Sequence, residues 1–329
     1  MIGRRPALLL GLLALALLAA LLLSLGLGSY ARGFADLPGL LGSDAPSVER
    51  TVLLELRLPR ALSALVVGGQ LALAGVLMQA LLRNPLADPY VLGVSGGASV
   101  AALLSLMAGL GGFWVASAAF GGAVLNVVLV FGLVGGLGAG GGNWSAGRLL
   151  LTGVVIASGW GAVVSFLLAV SDGQAVKSML FWLMGDFSHV PVPGWNTLVL
   201  ALGLLFALAV ARPLNLLVRG QQQAQALGVE VRPLKLGLFL VTSLLTASAV
   251  TQAGSVGFLG LVVPHMLRLL IGSDHRWLVP ASVLGGGLLL LLADTLARTL
   301  IAPQQLPVGV ITAFLGVPLF LWLLNRRGA

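Results

Sequence analysis

The sequence predicts an all-α, polytopic membrane protein with about ten transmembrane helices and both termini in the cytoplasm. The first observation is composition, since 58% of the 329 residues are hydrophobic, only 9% are charged, and the mean hydropathy is +1.06. A soluble domain usually carries about 25% charged residues, whereas a surface that faces lipid needs almost none. The other two observations are a series of apolar segments of spanning length and the distribution of basic residues between them.

Each predicted span is an apolar run close to the length of about 20 residues that a helix needs to cross the hydrocarbon core. The ten segments are 7–28, 61–82, 91–110, 113–137, 148–170, 195–212, 234–252, 256–271, 278–300 and 308–324. The first is longer than the apolar core of a signal peptide and lacks a clear small-x-small cleavage site, so we expect a retained span. The eighth is short and contains Pro264, and we expect a bent start at 254–258.

The basic residues predict the orientation of these spans. With the N-terminus inside, twelve of the 18 Lys and Arg residues fall in inner segments, and the others lie in outer segments or outer helix ends. This asymmetry follows the positive-inside rule, and an even number of spans then places both termini in the cytoplasm. Two polar stretches interrupt the pattern, 29–56 on the outside and 213–233 on the inside. Neither is long enough for a nucleotide-binding domain, so residues 1–329 are predicted to form one transmembrane domain.

Several classes of function are excluded by residue content. The chain has no cysteine, which removes disulfides, thiolate metal sites and cysteine nucleophiles. Its three histidines, His189, His265 and His275, are widely separated, so no metal site is predicted. The net charge of +8 is spread in ones and twos, whereas a nucleic-acid surface would be clustered. Residues 136–141 match GxGxxG, but they lack the βαβ unit that a dinucleotide site requires.

Asp294 lies within a predicted span, where an ionisable residue is costly and often functional. One interpretation is a role in helix packing. Another is an ion-coupling site of a secondary transporter driven by an ion gradient. An intramembrane enzyme would need a nucleophile with its base, or a pair of acids, and the sequence offers neither arrangement. No catalytic residue and no cofactor is therefore predicted.

Specific motifs begin at the turn between the second and third spans. Residues 83–89, Arg-Asn-Pro-Leu-Ala-Asp-Pro, contain two prolines and predict a tight, rigid turn. Together with the neighbouring motifs, this turn resembles the permease family of iron–siderophore, haem and vitamin B12 ABC importers. The motifs that carry the resemblance are Arg57-Leu-Pro-Arg60, Gly75 to Gln79, Leu92 to Ala98, Phe181-Trp-Leu-Met-Gly185, Ala226-Leu-Gly-Val229, Gly257 to His265 and Leu306-Pro-Val-Gly309. They follow the family's order from about residue 50 onward.

The resemblance implies a single permease domain that works as a homodimer in the cytoplasmic membrane of a bacterium or archaeon. It implies two ATP-binding-cassette ATPase subunits on the cytoplasmic face and a periplasmic or lipid-anchored binding protein on the other. The cargo would be an iron–siderophore, haem or cobalamin; the family's usual cargo favours an iron chelate, while the residues of this chain do not identify which one is carried. The resemblance implies neither a nucleic-acid partner nor a cofactor for this chain.

The resemblance also assigns three groups of site residues. Outward guanidinium groups that pair with carboxylates of the binding protein would be those of Arg57, Arg60 and Arg298. The ATPase coupling residues within 213–233 would be Asn215, Gly220, Gln221, Ala226, Leu227 and Gly228. The cytoplasmic gate would be formed by Asn84, Leu86, Ser145 and Gly147. Relatives often carry acidic residues where this chain has Gln221, Gln222 and Gln223, which argues against a specific ion pair with the ATPase there.

Overall fold

The computed structural model of the protein describes residues 4–27, 48–135, 145–187 and 193–325. Within these ranges the secondary structure is helical, and they contain no strand. Helix is the expected form because the bilayer core offers no water to backbone N–H and C=O groups, so each segment must satisfy its own. The predicted all-α class is therefore confirmed.

The helices follow one another with short connections. In chain order they are α1 Arg4–Gly26, α2 Val48–Leu82, α3 Val94–Met107, α4 Gly112–Val134, α5 Ala146–Val170, α6 Gly173–Met184, α7 Gly194–Ala209, α8 Ala211–Leu217, α9 Gln221–Ala226, α10 Val231–Ala253, α11 Leu259–Ile271, α12 His275–Thr299 and α13 Val308–Asn325. Helix α2 contains a π-helical segment at Val52–Arg57, and a 3-10 turn at Pro89–Leu92 precedes α3.

Several of these helices can cross a membrane. Among the described residues, six are long and apolar enough by themselves, namely α1, α2, α4, α5, α10 and α12. Helices α7 and α8 pass the same test as a pair bent by 62°, and α3, α11 and α13 are shorter apolar helices. The protein is thus a multi-pass membrane protein. The count of ten spans and the cytoplasmic position of both termini stay predictions.

The structure corrects two predicted boundaries and adds one helix. The predicted outer segment 29–56 is helical from Val48 onward, because α2 begins there and continues into the second span; residues 28–47 lie outside the described residues. The inner segment predicted at 213–233 begins at the bend after Ala209. Helix α6 was not predicted, since its 12 residues are too few for a span.

Helix α2 forms the centre of the bundle. In its most apolar stretch 89% of the residues are buried, compared with 11% in α5. Helix α12 runs antiparallel to α2 and meets it at Gly68 and Gly286, where a Cβ on either glycine would collide with the backbone of the other. Small residues of this kind allow helices to approach closely in a membrane, where hydrophobicity between helices cannot drive association.

The bent start predicted for the eighth span is confirmed. Gly254 and Phe258 both have left-handed backbone conformations, with φ of 68° and 71°. Helix α11 begins only after them, at Leu259, and it accommodates Pro264 in its interior. The irregular stretch is tied to the protein at Val256, whose N–H donates to the Tyr90 hydroxyl at 3.1 Å. Non-helical backbone at this depth is therefore held within the protein, as the absence of water requires.

Candidate functional site

Arg57, Arg60 and Arg298 meet at one end of the α2–α12 pair, and we call these three residues the arginine cluster. Arg57 and Arg60 lie one turn apart on α2. Arg298 interacts electrostatically with both, because the antiparallel course of α12 brings its C-terminal end to the N-terminal part of α2. The structure thus brings together all three residues that were predicted to dock a binding protein.

Asp294 lies beside this cluster and is bound by Arg60. The Arg60 Nε donates to both carboxylate oxygens at 3.0 Å, and its Nη2 donates to Oδ1 at 2.8 Å. The remaining Nη1 donates to Gln305 Oε1 at 2.7 Å. A fully buried carboxylate needs such a partner, so the pairing favours helix packing over ion coupling as the role of Asp294. This pair was not predicted, although Arg60 directly precedes the outer end of the predicted span 61–82 and Asp294 lies in the outer half of the predicted span 278–300.

The other two arginines bind the end of α1. Arg57 Nη1 donates to the carbonyl of Leu25 at 2.8 Å. Arg298 Nη1 donates to the carbonyl of Leu27 at 2.9 Å, and its Nη2 donates to Ser24 Oγ at 3.0 Å and to the Ser24 carbonyl. The last carbonyls of a helix lack partners within it and carry partial negative charge. Two guanidinium groups therefore satisfy the C-terminal end of α1.

The predicted gate turn is held by its own side chains. Asn84 Oδ1 accepts from the Leu86 N–H at 3.0 Å, and Asp88 Oδ1 accepts from the Tyr90 N–H at 2.8 Å. Burial raises the pKa of Asp88 to about 6, and the hydrogen bond from Tyr90 opposes that rise. Leu86 stays exposed at the tip of the turn. The tight, rigid turn predicted from the two prolines is confirmed.

Ser145 and Gly147 lie at the start of α5. Ser145 caps the helix, with its Oγ accepting from the Arg148 N–H at 3.2 Å, and Gly147 faces open space. No hydrogen bond in the described part of the chain joins either residue to the turn at 83–88. The gate role of the four assigned residues stays a prediction. The glycine pattern at 136–141 lies outside the described residues.

The predicted coupling segment contains the two short helices α8 and α9. Gly220 separates them with φ of 146°, and Gly228 follows α9 with φ of 84°. Gln221 begins α9 and Ala226 ends it. Leu227, immediately after the helix, is 66% exposed, which leaves an apolar side chain at the tip of the segment. An exposed apolar side chain beside a short helix is a suitable contact for a partner protein.

Asn215 anchors α8 to the start of α12. Its Nδ2 donates to Asp274 Oδ1 at 2.8 Å, and its Oδ1 accepts from the His275 N–H at 2.9 Å and lies 2.7 Å from the His275 Nδ1. Asp274 also caps α12 by accepting from the Arg276 N–H at 3.1 Å. The Arg276 guanidinium, and then Asn215, holds the pKa of Asp274 well below its usual range. We call Asn215, Asp274, His275 and Arg276 the inner junction.

A cavity of about 980 Å³ lies near the ends of α3, α6 and α10. Its walls include the aromatic side chains of Phe113, Phe181, Trp182 and Trp195. Its polar residues include Asn196 and Gln252, which are hydrogen-bonded to each other. Gln252 Nε2 also donates to Ser63 Oγ at 2.9 Å, one turn from Arg60 on α2. The cavity is thus on the same side of the bundle as the arginine cluster.

Metal-ligating side chains are sparse. Within the ranges that the structure describes, no group of three or more His, Cys, Asp and Glu residues could hold a metal ion. His265 and His275 belong to different helices, and His189 lies outside the described residues.

Known proteins are similar to this chain along almost its full length. The model of the FecCD transport family matches residues 16–326. The chain is 41% identical to the hemin transport system permease HmuU of Yersinia pestis, over 98% of this chain and 97% of that protein. It is 39% identical to the cobalamin import system permease BtuC of Halobacterium salinarum, over 86% of this chain and 75% of the relative.

A solved structure gives the same result for the fold. It is an inward-facing conformation of a candidate metal-chelate type ABC transporter, and it matches with a TM-score of 0.83 and 31% identity over 98% of this chain and 99% of its own. Family model, relatives and fold therefore agree with one another. This protein belongs to the FecCD transport family.

Proposed function

We propose that the protein is the membrane-spanning permease subunit of an ATP-driven importer that carries a metal chelate across the cytoplasmic membrane. The chelate would be an iron–siderophore, haem or cobalamin, and ATP would be hydrolysed on a separate subunit. The observation that carries this proposal is the similarity to a hemin permease along almost the whole chain, together with that to a cobalamin permease over 86% of it. The whole chain would act as one permease domain, with neither a catalytic residue nor a cofactor of its own.

The segment α8–α9 would be the docking element for the ATPase. It joins two membrane helices with a compact pair of short helices, and its exposed Leu227 offers an apolar contact. The glutamines at the start of α9 can donate and accept hydrogen bonds but carry no charge, so this docking would depend on packing and hydrogen bonds. A secondary transporter has no need of such an element.

The arginine cluster would receive acidic residues of the binding protein. Three guanidinium groups at one end of the bundle create a positive surface that attracts carboxylates and orients the encounter. Arg60 is bound to a carboxylate, that of Asp294, whereas Arg57 and Arg298 are bound to uncharged acceptors at the end of α1, so these two would keep the charge that attracts acidic residues of a partner. The protein would work as a homodimer, which its membership of the FecCD transport family supports.

The test is reconstitution of the chain with candidate ATPase and binding-protein partners in lipid discs and in proteoliposomes. We expect ATP hydrolysis that increases with loaded binding protein, and chelate uptake that requires ATP. Arg57→Glu should weaken the apparent affinity for the binding protein about tenfold or more while basal ATP hydrolysis is retained. Lys177→Glu is the matched control, because Lys177 lies on α6 and outside the arginine cluster. Uptake driven by an ion gradient, by the chain alone, would refute the proposal.

A further inference from the structure

Helix α12 is held by polar side chains from other elements at both of its ends. At its start, Asn215 of α8 binds Asp274 and His275. Near its other end, Arg60 of α2 binds Asp294. One helix thus connects the segment that would face the ATPase with the cluster that would face the binding protein.

We propose that Asn215 is a positioning residue that ties the α8–α9 segment to α12, so that α12 carries movement of that segment to the arginine cluster. The inference rests on the proposed function and deepens it, because it names one contact and one helix through which ATP hydrolysis and binding-protein docking would be linked.

The first argument is the geometry of the inner junction. The first N–H groups of a helix have no partner within it. Here the Asn215 Oδ1 accepts from one of them, that of His275, while the Asn215 Nδ2 donates to the residue that caps the helix, Asp274. The amide of Asn215 therefore binds α12 twice. Its N–H group donates to the side chain that caps the helix, and its oxygen accepts from the helix backbone. Such a contact is directional, so α8 cannot shift without either moving the start of α12 or breaking the hydrogen bonds.

The second argument is the way in which α8 is attached to the rest of the chain. It departs from α7 at an angle of 62°, with only Val210 between the two helices. On its other side, Gly220 has a backbone conformation that few other residues adopt. Buried Leu214 packs α8 against the bundle through non-directional apolar contact. Two further residues of α8 are buried as well, so apolar packing holds the segment against the bundle and Asn215 adds the directional contact with α12.

The third argument is the continuity of α12. It is helical from His275 to Thr299 without a break. At a rise of about 1.5 Å per residue, Asp294 lies roughly 30 Å from Asp274 along the helix axis. Because Arg60 binds both oxygens of Asp294, a shift of α12 along its axis is passed directly to an arginine of the cluster. Discrete polar contacts at both ends of a regular helix are the kind of element that transmits a conformational change.

The test reverses the polarity of the Asn215–Asp274 contact. Asn215→Asp places two carboxylates against each other and removes the donor. The double variant Asn215→Asp, Asp274→Asn restores one donor and one acceptor in the opposite sense, with unchanged net charge, and Asn is also a good helix cap. In lipid discs with both partners, we expect Asn215→Asp to lower the ratio of binding-protein-stimulated to basal ATP hydrolysis about tenfold. The double variant should recover to within about threefold of the wild type.

Arg276→Gln is the matched control, because it removes the exposed ion pair of Asp274 and leaves Asn215 in place. It should keep the wild-type ratio of stimulated to basal hydrolysis. An unchanged ratio in Asn215→Asp, or a loss that the double variant does not recover, would overturn the inference.

Hydrogen exchange on the purified chain separates this inference from the proposed function. Asn215→Asp should speed amide exchange in the first turn of α12, and the double variant should slow it again. If the wild-type complex fails to import any chelate with ATP, the proposed function fails, and the exchange data still decide whether Asn215 holds α12. Equal exchange in all variants would show that it does not.

Discussion

The two ends of α12 carry chemically similar ion pairs in opposite surroundings. At the inner junction, Arg276 and Asp274 approach to 2.6 Å with side chains 58% and 32% exposed. At the arginine cluster, Arg60 and Asp294 approach to 2.8 Å with side chains 12% and 0% exposed. Both pairs use two guanidinium nitrogens against both carboxylate oxygens. Their geometry is therefore nearly the same.

The two ion pairs differ in burial and not in geometry. Water and salt screen an exposed pair, and such pairs contribute little to stability. A buried charge that loses its partner has no water to replace it, so breaking a buried pair is costly. The pairs also join different parts of the chain. Arg276 binds a residue two positions away and fixes a helix cap, whereas Arg60 binds a residue 234 positions away and fixes two helices together.

The largest effect is expected from Asp294→Ala, which leaves the Arg60 guanidinium without its carboxylate in a nearly buried site. We expect a loss of about 3–5 kcal/mol in the free energy of unfolding. The measurement is equilibrium unfolding in mixed detergent micelles. The control is the double variant Arg60→Met, Asp294→Leu, which should lose far less because neither charge remains. A double variant as unstable as the single one would contradict the role of burial.

A smaller effect is expected from Arg60→Lys. Lysine keeps the positive charge but lacks the planar fork that binds both oxygens of Asp294 and, through Nη1, Gln305. We expect a loss of about 1.5–3 kcal/mol, the range for hydrogen bonds to charged groups. The same unfolding experiment measures it. Stability equal to that of the wild type would mean that charge alone holds the Arg60–Asp294 pair together.

Acid should affect the inner junction in a defined direction. Because the pKa of Asp274 is depressed in the folded protein, its ionised form adds stability that is fully present above the ordinary pKa of about 4. That stability is lost as the pH falls below this value toward the folded pKa. The thermal unfolding midpoint, recorded from pH 6 to pH 3, should fall less in Asp274→Asn than in the wild type. Identical curves would show that the inner junction does not stabilise the fold through Asp274.

The smallest effect is expected from Arg276→Gln. Its guanidinium is exposed, and Asp274 keeps the hydrogen bonds from Asn215 and from the backbone N–H of residue 276. We expect only a slight decrease in the thermal unfolding midpoint at neutral pH and moderate salt, smaller than the decreases expected for Asp294→Ala and Arg60→Lys. A large decrease in the midpoint would indicate that the exposed Arg276–Asp274 pair stabilises the fold as much as the buried Arg60–Asp294 pair. Burial would then not explain the difference between the two ends of α12.

Much of the architecture was predictable because the bilayer imposes strong rules on local sequence. The apolar segments around Leu73 and Val250 became buried helices, the turn at 83–89 is as tight as its prolines indicated, and the chain bends before α11 as expected. Helix α6 was not predicted, because a short helix that contains a lysine lacks the hydropathy pattern of a membrane span. The start of α2 at Val48 was missed since charged Glu49 and Arg50 read as a soluble segment.

The candidate site residues were predicted with less physical detail. The three arginines were found through the resemblance to a family, and the structure adds that they share one end of the bundle and bind Asp294 and the end of α1. Asn215 was assigned to the coupling segment, but its attachment to Asp274 could not be predicted. Hydropathy reports the surroundings that a residue prefers, and it carries no information about which helix will be its neighbour.

The order of residues along the chain was enough to predict a membrane location, a helical backbone, and the positions of the apolar segments and rigid turns. These properties follow from local composition, because transfer into lipid acts on each segment separately. The folded structure was needed to show that Asp294 faces Arg60, that Asn215 binds the start of a helix 60 positions away, and that α12 joins both contacts. These contacts depend on the packing of helices that are distant in sequence. Gly68 and Gly286 allow the close approach of α2 and α12, and a buried charge requires a partner of opposite sign.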